Sequence, residues 1–362
     1  MSKKTILILA NASTGVYDFR NELMLALLEK YKVVVSVPDE ICVEELEKEG
    51  CEVIHTPIDR RGMSPKEDLG LFFRYCRLLK KINPDLVLTY TIKPNIYGGY
   101  ACRLRGVPYF STITGLGSAF QKGAAFRKMI IYMYRAGLRG AQCVFFQNDR
   151  NRKLFSEYKI VGKKDKLVSG SGVNLDAHRA EEYPDGEQTC LLFIGRIMKE
   201  KGIEEFLEAA KDLHSKRVRF ELLGYCDEDY QNLLGEYERQ GIIVWHGSQT
   251  DVRGFLKNAS ALVLPTYHEG MSNVLMEASA TARPVIATNI SGCREVFEEG
   301  VTGFGCEPQS AESLKEAIRK FLALSREEQV RMGLAAREKM EREFDRKQVT
   351  AAYMEEVNRL IW

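Results

Sequence analysis

Short apolar segments rich in β-branched residues alternate with longer amphipathic segments along this chain. The short segments have the length and composition of buried strands, and the longer ones repeat apolar residues at the helical period. The alternation predicts an α/β protein whose parallel sheets are covered by helices on both faces. Strands are predicted near residues 5–10, 33–37, 52–55, 85–90, 108–112, 143–147, 166–169, 190–194, 218–223, 242–245, 261–265, 284–287 and 303–306. Helices are predicted to begin near residues 18, 40, 68, 95, 125, 149, 202, 228, 251, 273, 292 and 311, before two charged helices near 326–342 and 346–361.

Length and a polar break predict two domains. A chain of 362 residues exceeds one typical hydrophobic core. Residues 171–189 are polar and contain Gly, Pro and Asp, as an interdomain connection would. We therefore expect two doubly wound, Rossmann-like domains, 1–170 and 171–344, facing each other across a cleft. In such sheets ligands bind beyond the carboxyl ends of the strands.

Charge is uneven along a chain of otherwise ordinary composition. Apolar residues make up 45% and charged residues 28%, which is typical of a soluble globular protein. Residues 1–180 carry 29 Lys and Arg against 18 Asp and Glu, and residues 181–362 carry 23 against 32. A basic first half suits an anionic acceptor, an anionic membrane surface or nucleic acid. No nucleic-acid-binding motif supports the last of these.

Cysteine usage and apolar runs indicate a reducing compartment. The nine cysteines are odd in number and form no C-x-x-C pair, so we expect free thiols. The first apolar run is too short for a signal peptide, and no run is long enough to span a membrane. The expected location is cytoplasmic.

The second half contains a predicted helix start suited to an anion. A buried strand near 262–266 is followed by a loop and by Ser272, which occupies a predicted N-cap position. The next three backbone N–H groups, those of Asn273, Val274 and Leu275, have no partner within the helix. Together with the helix dipole they form a predicted site for a diphosphate.

Two glutamates flank this helix start. Glu277 lies one helical turn after Asn273 and could accept both hydroxyls of a ribose attached to the diphosphate. Glu269, in the loop with Gly270, lies where a sugar on the other side of the phosphates would be. The alternative is an exposed loop glutamate and a solvated helix glutamate.

A second strand–loop–helix segment offers two cations. Gly195 ends an apolar strand, and Arg196 and Lys201 flank the following loop before Gly202 and an amphipathic helix. The planar fork of an Arg can bind two phosphate oxygens, and a Lys adds a compact charge. Basic residues in such loops are often only solvated, but two phosphate-binding loops in one half are less easily accidental.

Other nucleotide motifs are missing from the sequence. The first turn, NASTGVYDFR, has the single glycine Gly15 in place of a G-x-G-x-x-G fingerprint, and there is no Walker A sequence. Dehydrogenase and ATPase functions are therefore not favoured. Asp227-Glu228-Asp229 spells a D-x-D pattern, which we interpret as an acid-rich helix start and not as a metal site.

These motifs resemble a known family. Gly195-Arg196 with Lys201-Gly202, then Glu269-Gly270, Ser272 to Leu275 and Glu277-Ala278, resemble the donor half of the retaining GT-B glycosyltransferases of glycosyltransferase family 4. The N-terminal ASTGVYDFR and the stretch TIKPNIYGGYACRLRGVPYFSTITGLGSAF resemble a bacterial subgroup that extends lipid-linked or capsular oligosaccharides. N-acetylgalactosaminyltransferases acting on undecaprenyl-diphosphate-linked sugars are an example.

The resemblance implies a retaining, metal-independent transfer of an N-acetylhexosamine or hexose from a UDP-sugar to a polyprenyl-diphosphate-linked saccharide. Arg196, Lys201 and the helix amides would stabilise the departing diphosphate without a metal or other cofactor. Glu269 would orient the sugar, without forming a covalent bond. Retention would follow from a same-face displacement in which the departing phosphate takes the acceptor proton.

Further donor contacts are expected from Gly247, in the nucleobase loop that follows Trp245, and from Gly15, whose backbone could approach the diphosphate. The resemblance also implies that a final helix at about 345–362 packs on the first domain. Packing on the second domain is the alternative.

Acceptor contacts are expected after two strands of the first half. Thr91, Lys93 and Asn95 follow one of them, and Gly115 and Gly117 follow the next. Lys93 could pair with an acceptor phosphate, or it could cap a helix or lie in solvent. Many family members place a histidine in this region, whereas this chain has none between His55 and His178. The side-chain base therefore stays open.

Two predicted helices, 68–81 and 125–139, combine aromatic and basic residues and could contact the inner face of a bacterial plasma membrane. The alternative is ordinary packing on the sheet. Two other functions also stay open at this point: a sugar-nucleotide epimerase or hydrolase of the same shape, and a non-catalytic UDP-sugar-binding protein.

Overall fold

The computed structural model describes residues 3–60, 62, 64–115, 123–161, 164–186 and 188–361. The chain divides into two compact units. The first unit comprises Met1–Ser171 and Arg346–Trp362, and the second comprises Gly172–Asp345. Each is a parallel sheet with helices on both faces, and every predicted strand is present within the described residues. The predicted fold class is confirmed.

The first unit is built on a seven-stranded sheet in the order β3-β2-β1-β4-β5-β6-β7. Residues of β1 alternate between two cores: Ile6 and Ile8 face one, and Leu7 and Leu9 face the other. Burial on both faces explains why these strands are continuous apolar runs. The strands are β1 (Thr5–Leu9), β2 (Lys32–Val37), β3 (Glu52–His55), β4 (Leu86–Tyr90), β5 (Tyr109–Ile113), β6 (Cys143–Phe146) and β7 (Asp165–Leu167).

The helices of the first unit have locally encoded ends. One begins after Ser64, whose hydroxyl accepts from the Glu67 N–H, with Pro65 in the first turn, and it ends at the left-handed Asn83. The π-helical turn Pro94–Gly98 precedes α4. The helices are α1 (Ser13–Lys30), α2 (Val43–Lys48), α3 (Pro65–Ile82), α4 (Gly99–Arg105), α5 (Ala124–Leu138) and α6 (Asp149–Glu157).

Helix α1 begins five residues before its predicted start. The backbone N–H of Ser13 donates to both carboxylate oxygens of Asp39 at 3.1 and 3.3 Å, and its hydroxyl donates to the same carboxylate. This partner from another loop satisfies the helix start, which sequence spacing could not indicate. Gly15 therefore lies in the first turn of a helix and not in a loop.

The second unit has a six-stranded sheet in the order β10-β9-β8-β11-β12-β13. Its last helix starts with a capping box in which Ser325 and Glu328 bond each other's backbone. The strands are β8 (Thr189–Ile194), β9 (Val218–Leu223), β10 (Ile243–Trp245), β11 (Ala261–Leu264), β12 (Val285–Thr288) and β13 (Gly303–Cys306). The helices are α7 (Ile203–Leu213), α8 (Gln231–Arg239), α9 (Arg253–Asn258), α10 (Asn273–Ala280), α11 (Ala311–Leu322) and α12 (Arg326–Glu343).

The helix predicted near residue 292 is wrong, because residues 291–296 form turns. Gly292 has a φ of +92°. The Glu295 carboxylate accepts from the Ser291 hydroxyl at 2.8 Å and from the Gly292 N–H at 2.7 Å. These local bonds favour turns over helix.

The last helix, α13 (Arg346–Ile361), belongs to the first unit. Its Tyr353 ring stacks on Phe145 of β6 with centroids 3.9 Å apart. Glu356, fully buried, pairs with Lys164 at 2.6 Å and Lys166 at 2.9 Å. Among the described residues, no helix combines the length and apolar character that crossing a bilayer requires.

Candidate functional site

The predicted donor residues lie at the point where the strand order of the second sheet reverses. From β8 the chain adds β9 and β10 on one side and then crosses to β11 on the other. Arg196 and Lys201 follow β8, and Glu269 and α10 follow β11. In open α/β sheets ligands bind at this switch point, beyond the carboxyl ends of the strands.

An ion pair joins the two predicted phosphate and sugar loops. Lys201 Nζ lies 2.5 Å from Glu269 Oε1, and the two side chains are 19% and 14% exposed. Backbone contacts reinforce the pair, because the carbonyl of Glu200 accepts from the Tyr267 N–H at 2.9 Å and from the Thr266 hydroxyl at 3.3 Å. The structure therefore brings Lys201 and Glu269 together, whereas their roles in donor binding stay predictions.

Two glycines allow these loops to approach so closely. Gly202 has a φ of +75°, and a Cβ there would lie 2.1 Å from the Pro265 carbonyl oxygen. A Cβ on Gly292 would lie 2.8 Å from the Gly270 carbonyl oxygen and 2.9 Å from Glu269 Cβ. No larger residue fits either position without movement of the loop. The sequence did not indicate this role of Gly292, because a helix was predicted to begin near residue 292.

Helix α10 begins at Asn273 with Ser272 at its N-cap, as predicted. The Ser272 side chain accepts no capping hydrogen bond, and its backbone N–H donates to the Gly292 carbonyl at 2.8 Å. The first N–H groups of α10, from Asn273 to Leu275, thus gain no acceptor from the cap side chain. Glu277 is half-buried one turn further along. This end of α10 has the geometry of an anion site.

Buried groups behind the loops stay protonated. Burial and the adjacent Glu269 charge raise the pKa of Cys293 well above its usual value. Burial raises the pKa of Tyr267, and its hydrogen bond to Glu205 at 2.7 Å raises it further. Cys293 is therefore a poor nucleophile.

Arg196 is paired with Asp227, the first acid of the D-x-D pattern. Arg196 Nη1 lies 2.8 Å from Asp227 Oδ2, and the Arg196 side chain remains 40% exposed. The Asp227 N–H donates to the Ile197 carbonyl at 3.1 Å, and the Glu228 carboxylate accepts from the Lys199 N–H at 2.8 Å. These acids hold the loop that carries Arg196.

The interpretation of this segment as a helix start is therefore wrong. Helix α8 begins only at Gln231 and has no acid in its first turn. Within the described residues a cluster with metal-ligand spacing occurs elsewhere, at Glu208, Asp212 and Glu312. The ammonium of Lys315 lies among these three carboxylates and pairs with each of them.

The predicted nucleobase loop is bonded to the Arg196 loop through Gly224. The Gly224 N–H donates to the Gly247 carbonyl at 2.8 Å, and the Trp245 indole N–H donates to the Gly224 carbonyl at 3.0 Å. A Cβ on Gly224 would lie 1.7 Å from the Gly195 carbonyl oxygen. Gly247 itself has a φ of +65°. Three neighbouring strand ends are thus connected by backbone contacts that sequence motifs did not show.

In the first unit, the predicted acceptor residues Thr91 and Lys93 follow β4 and are mostly enclosed by the protein. Thr91 follows β4 with a φ of +73°, rare for a β-branched residue, and its buried hydroxyl has no hydrogen-bond partner among the described residues. Lys93 pairs with Asp68 at 2.7 Å, with both side chains about 15% exposed. Lys93 is therefore neither a helix cap nor free in solvent.

Asn95 does not support its predicted role. It is 1% exposed. Its amide donates to the Thr112 carbonyl at 2.8 Å and accepts from the Thr89 hydroxyl at 2.7 Å. Both ends of this amide serve the interior of the domain, so we no longer regard Asn95 as an acceptor contact.

Three predicted glycines complete the set. Gly115 has a φ of +142° beyond the end of β5. Gly117 lies outside the described residues. Gly15, in the first turn of α1, has open space where a Cβ would be, and its carbonyl accepts from Arg20. The predicted donor contact of Gly15 and the predicted acceptor contact of Gly115 therefore stay predictions.

Both units match glycosyltransferase family models. Residues 5–148 match the model described as "Glycosyl transferase 4-like", and residues 175–339 match "Glycosyl transferases group 1". The second match contains all the predicted donor residues of the second unit.

Two curated proteins and one solved structure illustrate the similarity. The chain is 27% identical over 345 residues to the N,N'-diacetylbacillosaminyl-diphospho-undecaprenol alpha-1,3-N-acetylgalactosaminyltransferase of Campylobacter jejuni, covering 90% of this chain and 91% of that protein. It is 25% identical over 284 residues to the UDP-Gal:alpha-D-GlcNAc-diphosphoundecaprenol alpha-1,3-galactosyltransferase of Escherichia coli, covering 71% of each. HepE of Anabaena in complex with UDP-glucose has the same fold, with a TM-score of 0.79 at 16% identity over 98% of this chain and 99% of that one.

Proposed function

We propose that this chain, which belongs to the GT-B glycosyltransferases, transfers an N-acetylhexosamine or hexose from a UDP-sugar to a polyprenyl-diphosphate-linked saccharide, with retention and without a metal. The observation that carries this proposal is the group of residues at the switch point of the second sheet. Arg196, Lys201, Glu269 and the start of α10 meet there, on loops that follow the adjacent strands β8 and β11.

This arrangement suits a departing nucleoside diphosphate. Negative charge develops on the leaving oxygen as the glycosidic bond breaks, and fixed donors aimed at that charge lower the barrier. Arg196 has five N–H donors, of which one is assigned to Asp227, so several remain for phosphate oxygens. Lys201, on the same loop after β8, adds a compact charge, and the amides of α10 add donors from the β11 side of the switch point.

Glu269 serves the sugar in this proposal. Its carboxylate is held by Lys201 at a half-buried position, where it can accept sugar hydroxyls and stabilise an oxocarbenium-like centre. A covalent route through the neighbouring Cys293 is disfavoured, because its raised pKa keeps the thiol protonated. The retaining step is then a same-face displacement in which the leaving phosphate oxygen takes the proton of the acceptor hydroxyl.

The names of the relatives support the choice of substrates. Both curated relatives act on sugars linked to undecaprenol through a diphosphate, and one uses UDP-Gal. We extend the lipid-linked acceptor and the UDP-sugar donor to this chain on that basis. We also propose that the chain works at the inner face of the plasma membrane, where its basic first unit would contact anionic lipid.

The test is a panel of UDP-sugars incubated with and without a lipid-linked acceptor. We expect one sugar to be transferred to the acceptor, with the α configuration retained by NMR and with full activity in EDTA. Release of UDP or an epimer without acceptor would favour the epimerase or hydrolase. Binding of UDP-sugar with no turnover would favour a sensor. Inversion, or a strict Mg²⁺ requirement, would overturn the proposed mechanism.

A further inference from the structure

An exposed aromatic residue follows the strand next to the one that carries Arg196. Tyr225 stands directly after Gly224, beyond the end of β9, and is 49% exposed. The sequence motifs of the donor site did not include this residue. Its backbone pairing and its place along the edge of the sheet show which part of a ligand would meet the ring.

The pairing of β8 with β9 continues past the strand ends and fixes the direction of the Tyr225 side chain. The Ile197 N–H donates to the Tyr225 carbonyl at 2.9 Å, and the Asp227 N–H donates to the Ile197 carbonyl at 3.1 Å. These two bonds form a parallel bridge between Ile197 and Cys226. Side chains alternate between the two faces along each extended segment. Tyr225 and Arg196 therefore project from the same face, opposite to Ile197.

Burial and contacts agree with this direction. Ile197 is fully buried, and Cys226 packs against the core of the unit. On the other face Arg196 Nη1 lies 2.8 Å from Asp227 Oδ2, and the Arg196 side chain is 40% exposed. Arg196 and Tyr225 are opposite each other in register, on segments about 4.8 Å apart. Their side chains are therefore neighbours on the exposed face.

Tyr225 also lies between the phosphate loop and the predicted nucleobase loop. The strand order is β10, β9, β8 and β11, so Tyr225 follows the strand between those that precede Gly247 and Arg196. Glu269, which is proposed to contact the sugar, follows β11 on the far side of Arg196. A donor with its sugar at Glu269 and its diphosphate at Arg196 would therefore extend its nucleobase towards Tyr225.

The backbone that carries Tyr225 is fixed before any ligand arrives. The Gly224 N–H donates to the Gly247 carbonyl at 2.8 Å, and the Gly224 carbonyl accepts from the Trp245 indole at 3.0 Å. A Cβ on Gly224 would lie 1.7 Å from the Gly195 carbonyl oxygen, so the two loops are in close contact. A ring on such a backbone loses little conformational freedom when a planar group stacks on it.

We infer that Tyr225 binds the nucleobase of the donor, which stacks on the tyrosine ring while Arg196 binds the diphosphate. Stacking on an aromatic side chain tolerates any base, because every base has a π face. Tyr225 therefore supplies affinity for a nucleoside diphosphate over a bare diphosphate, and the backbone of the Gly247 loop is left to select the base. The inference rests on the proposed donor site and adds to it the residue that recognises the aromatic part of the ligand.

Calorimetry with UDP and with inorganic diphosphate tests this role. Tyr225→Ala should weaken UDP binding by about tenfold or more and leave diphosphate binding unchanged, since only UDP carries a base. Tyr225→Phe keeps the ring and should bind UDP as the parent does. The control Leu334→Ala removes a side chain of similar exposure from α12 and should bind both ligands as the parent does.

NMR of the ligand reports the stacking directly. The uracil H5 and H6 resonances of UDP should move upfield on binding to the parent and to Tyr225→Phe, because protons above an aromatic face are shielded by its ring current. With Tyr225→Ala at saturating UDP this shift should be lost. An equal shift in the alanine variant would contradict stacking on this residue.

Three calorimetric results would overturn the inference. Equal losses of UDP and diphosphate affinity in Tyr225→Ala would show that the residue only supports the Arg196 loop. Unchanged UDP affinity would remove the contact altogether. A loss confined to UDP-sugars, with UDP unaffected, would assign the ring to the sugar.

The same measurements separate this inference from the proposed function. UDP binding by the parent that is unchanged in Tyr225→Ala removes the stacking role and leaves the proposed transfer intact. Binding of ADP or GDP in place of UDP, weakened by Tyr225→Ala, removes the UDP-sugar donor and leaves the stacking role standing. Absence of any nucleotide binding by the parent would overturn both.

Discussion

The sheets of the two units share the same order over six strands, but different residues follow the strands at their switch points. In the first unit the order reverses between β1 and β4, and in the second between β8 and β11. After β8 and β11 stand Arg196, Lys201 and Glu269. After β4 stands Lys93, whose charge is compensated by Asp68. In both units a cation beyond the switch point is paired with an acid, but the side chain of Arg196, paired with Asp227, is 40% exposed and that of Lys93 is 15% exposed. The same topology therefore presents an accessible cation in one unit and a half-buried cation in the other, because chemistry resides in the loops.

Their surfaces differ as well. Exposed large apolar residues of the first unit are concentrated on α3, α4 and α5. Those of the second unit, such as Tyr225, Val301 and Leu334, lie on separate elements. We interpret the second unit as the one that binds a small donor and the first as the one that contacts a large, amphiphilic partner. The predictions below test this division of roles.

The largest effect is expected at the donor site of the second unit. Arg196→Ala and Glu277→Ala should each lower transfer by about 100-fold or more, because each removes a charged partner of the diphosphate or ribose. The measurement is transfer of radiolabelled sugar, with circular dichroism to verify folding. Arg217→Ala, an exposed arginine of the same unit, is the control. Near-parental activity in both variants would remove the donor-site assignment.

Close packing of the donor loops should make Gly224→Ala destabilising by about 2 kcal/mol. A Cβ there would meet the Gly195 carbonyl, and the φ of +151° is unsuited to alanine. Chemical denaturation measures the change in unfolding free energy, and calorimetry with UDP measures any change in affinity. Gly235→Ala is the matched control: it lies within α8 with open space around a Cβ, so it should stabilise by about 0.5–1 kcal/mol. Equal effects of the two changes would contradict the packing argument.

Asp227 should matter for donor binding and not for the chemical step. Asp227→Asn keeps the shape but loses the charge that holds Arg196, so the KM for the UDP-sugar should rise about tenfold while kcat changes little. Asp227→Glu should restore most of the loss. A fall in kcat with unchanged KM would show that Asp227 acts in another way. Added Mg²⁺ restoring the Asp227→Asn variant would support the metal interpretation instead.

In the first unit, the corresponding cation should affect stability and not donor affinity. Lys93→Met leaves Asp68 half-buried without its ion-pair partner and should cost about 2 kcal/mol of unfolding free energy. Adding Asp68→Asn should recover part of it. UDP affinity measured by calorimetry should not change in either variant. A loss of UDP affinity would contradict the assignment of Lys93 to stability alone.

The smallest effect concerns acid stability of the first unit. Burial raises the pKa of Glu356, but hydrogen bonds from Lys164 and Lys166 outweigh it and lower the pKa to about 2, from 4.5. Its stabilising effect is therefore present above pH 4.5 and is lost as the pH falls towards 2. Glu356→Gln should be less stable than the parent at pH 7, with the gap closing by pH 2. Urea unfolding measures this, with the exposed Glu157→Gln as control. A gap independent of pH would contradict the assignment.

Much of the fold was predictable because strand signals are local. β8 and β11 are short apolar runs ended by glycine or proline, so their positions followed from the sequence alone. Helix starts were less certain. Ser13 is satisfied by Asp39, and residues 291–296 are held in turns by Glu295, and neither partner is visible from periodicity. The donor side chains were predictable because charged residues after a buried strand must lie at its carboxyl end.

The sequence by itself determined the α/β class and the cations and carboxylates that follow β8 and β11, because the hydrophobic period and the residues after each strand are local features of the chain. Only the tertiary structure decided how those charges are paired. Asp227 joins Arg196 across two strand ends, Asp68 neutralises Lys93, and Asn95 is used inside its domain. Ion pairs and buried amides link residues distant in the chain, and only folding brings those residues within bonding distance.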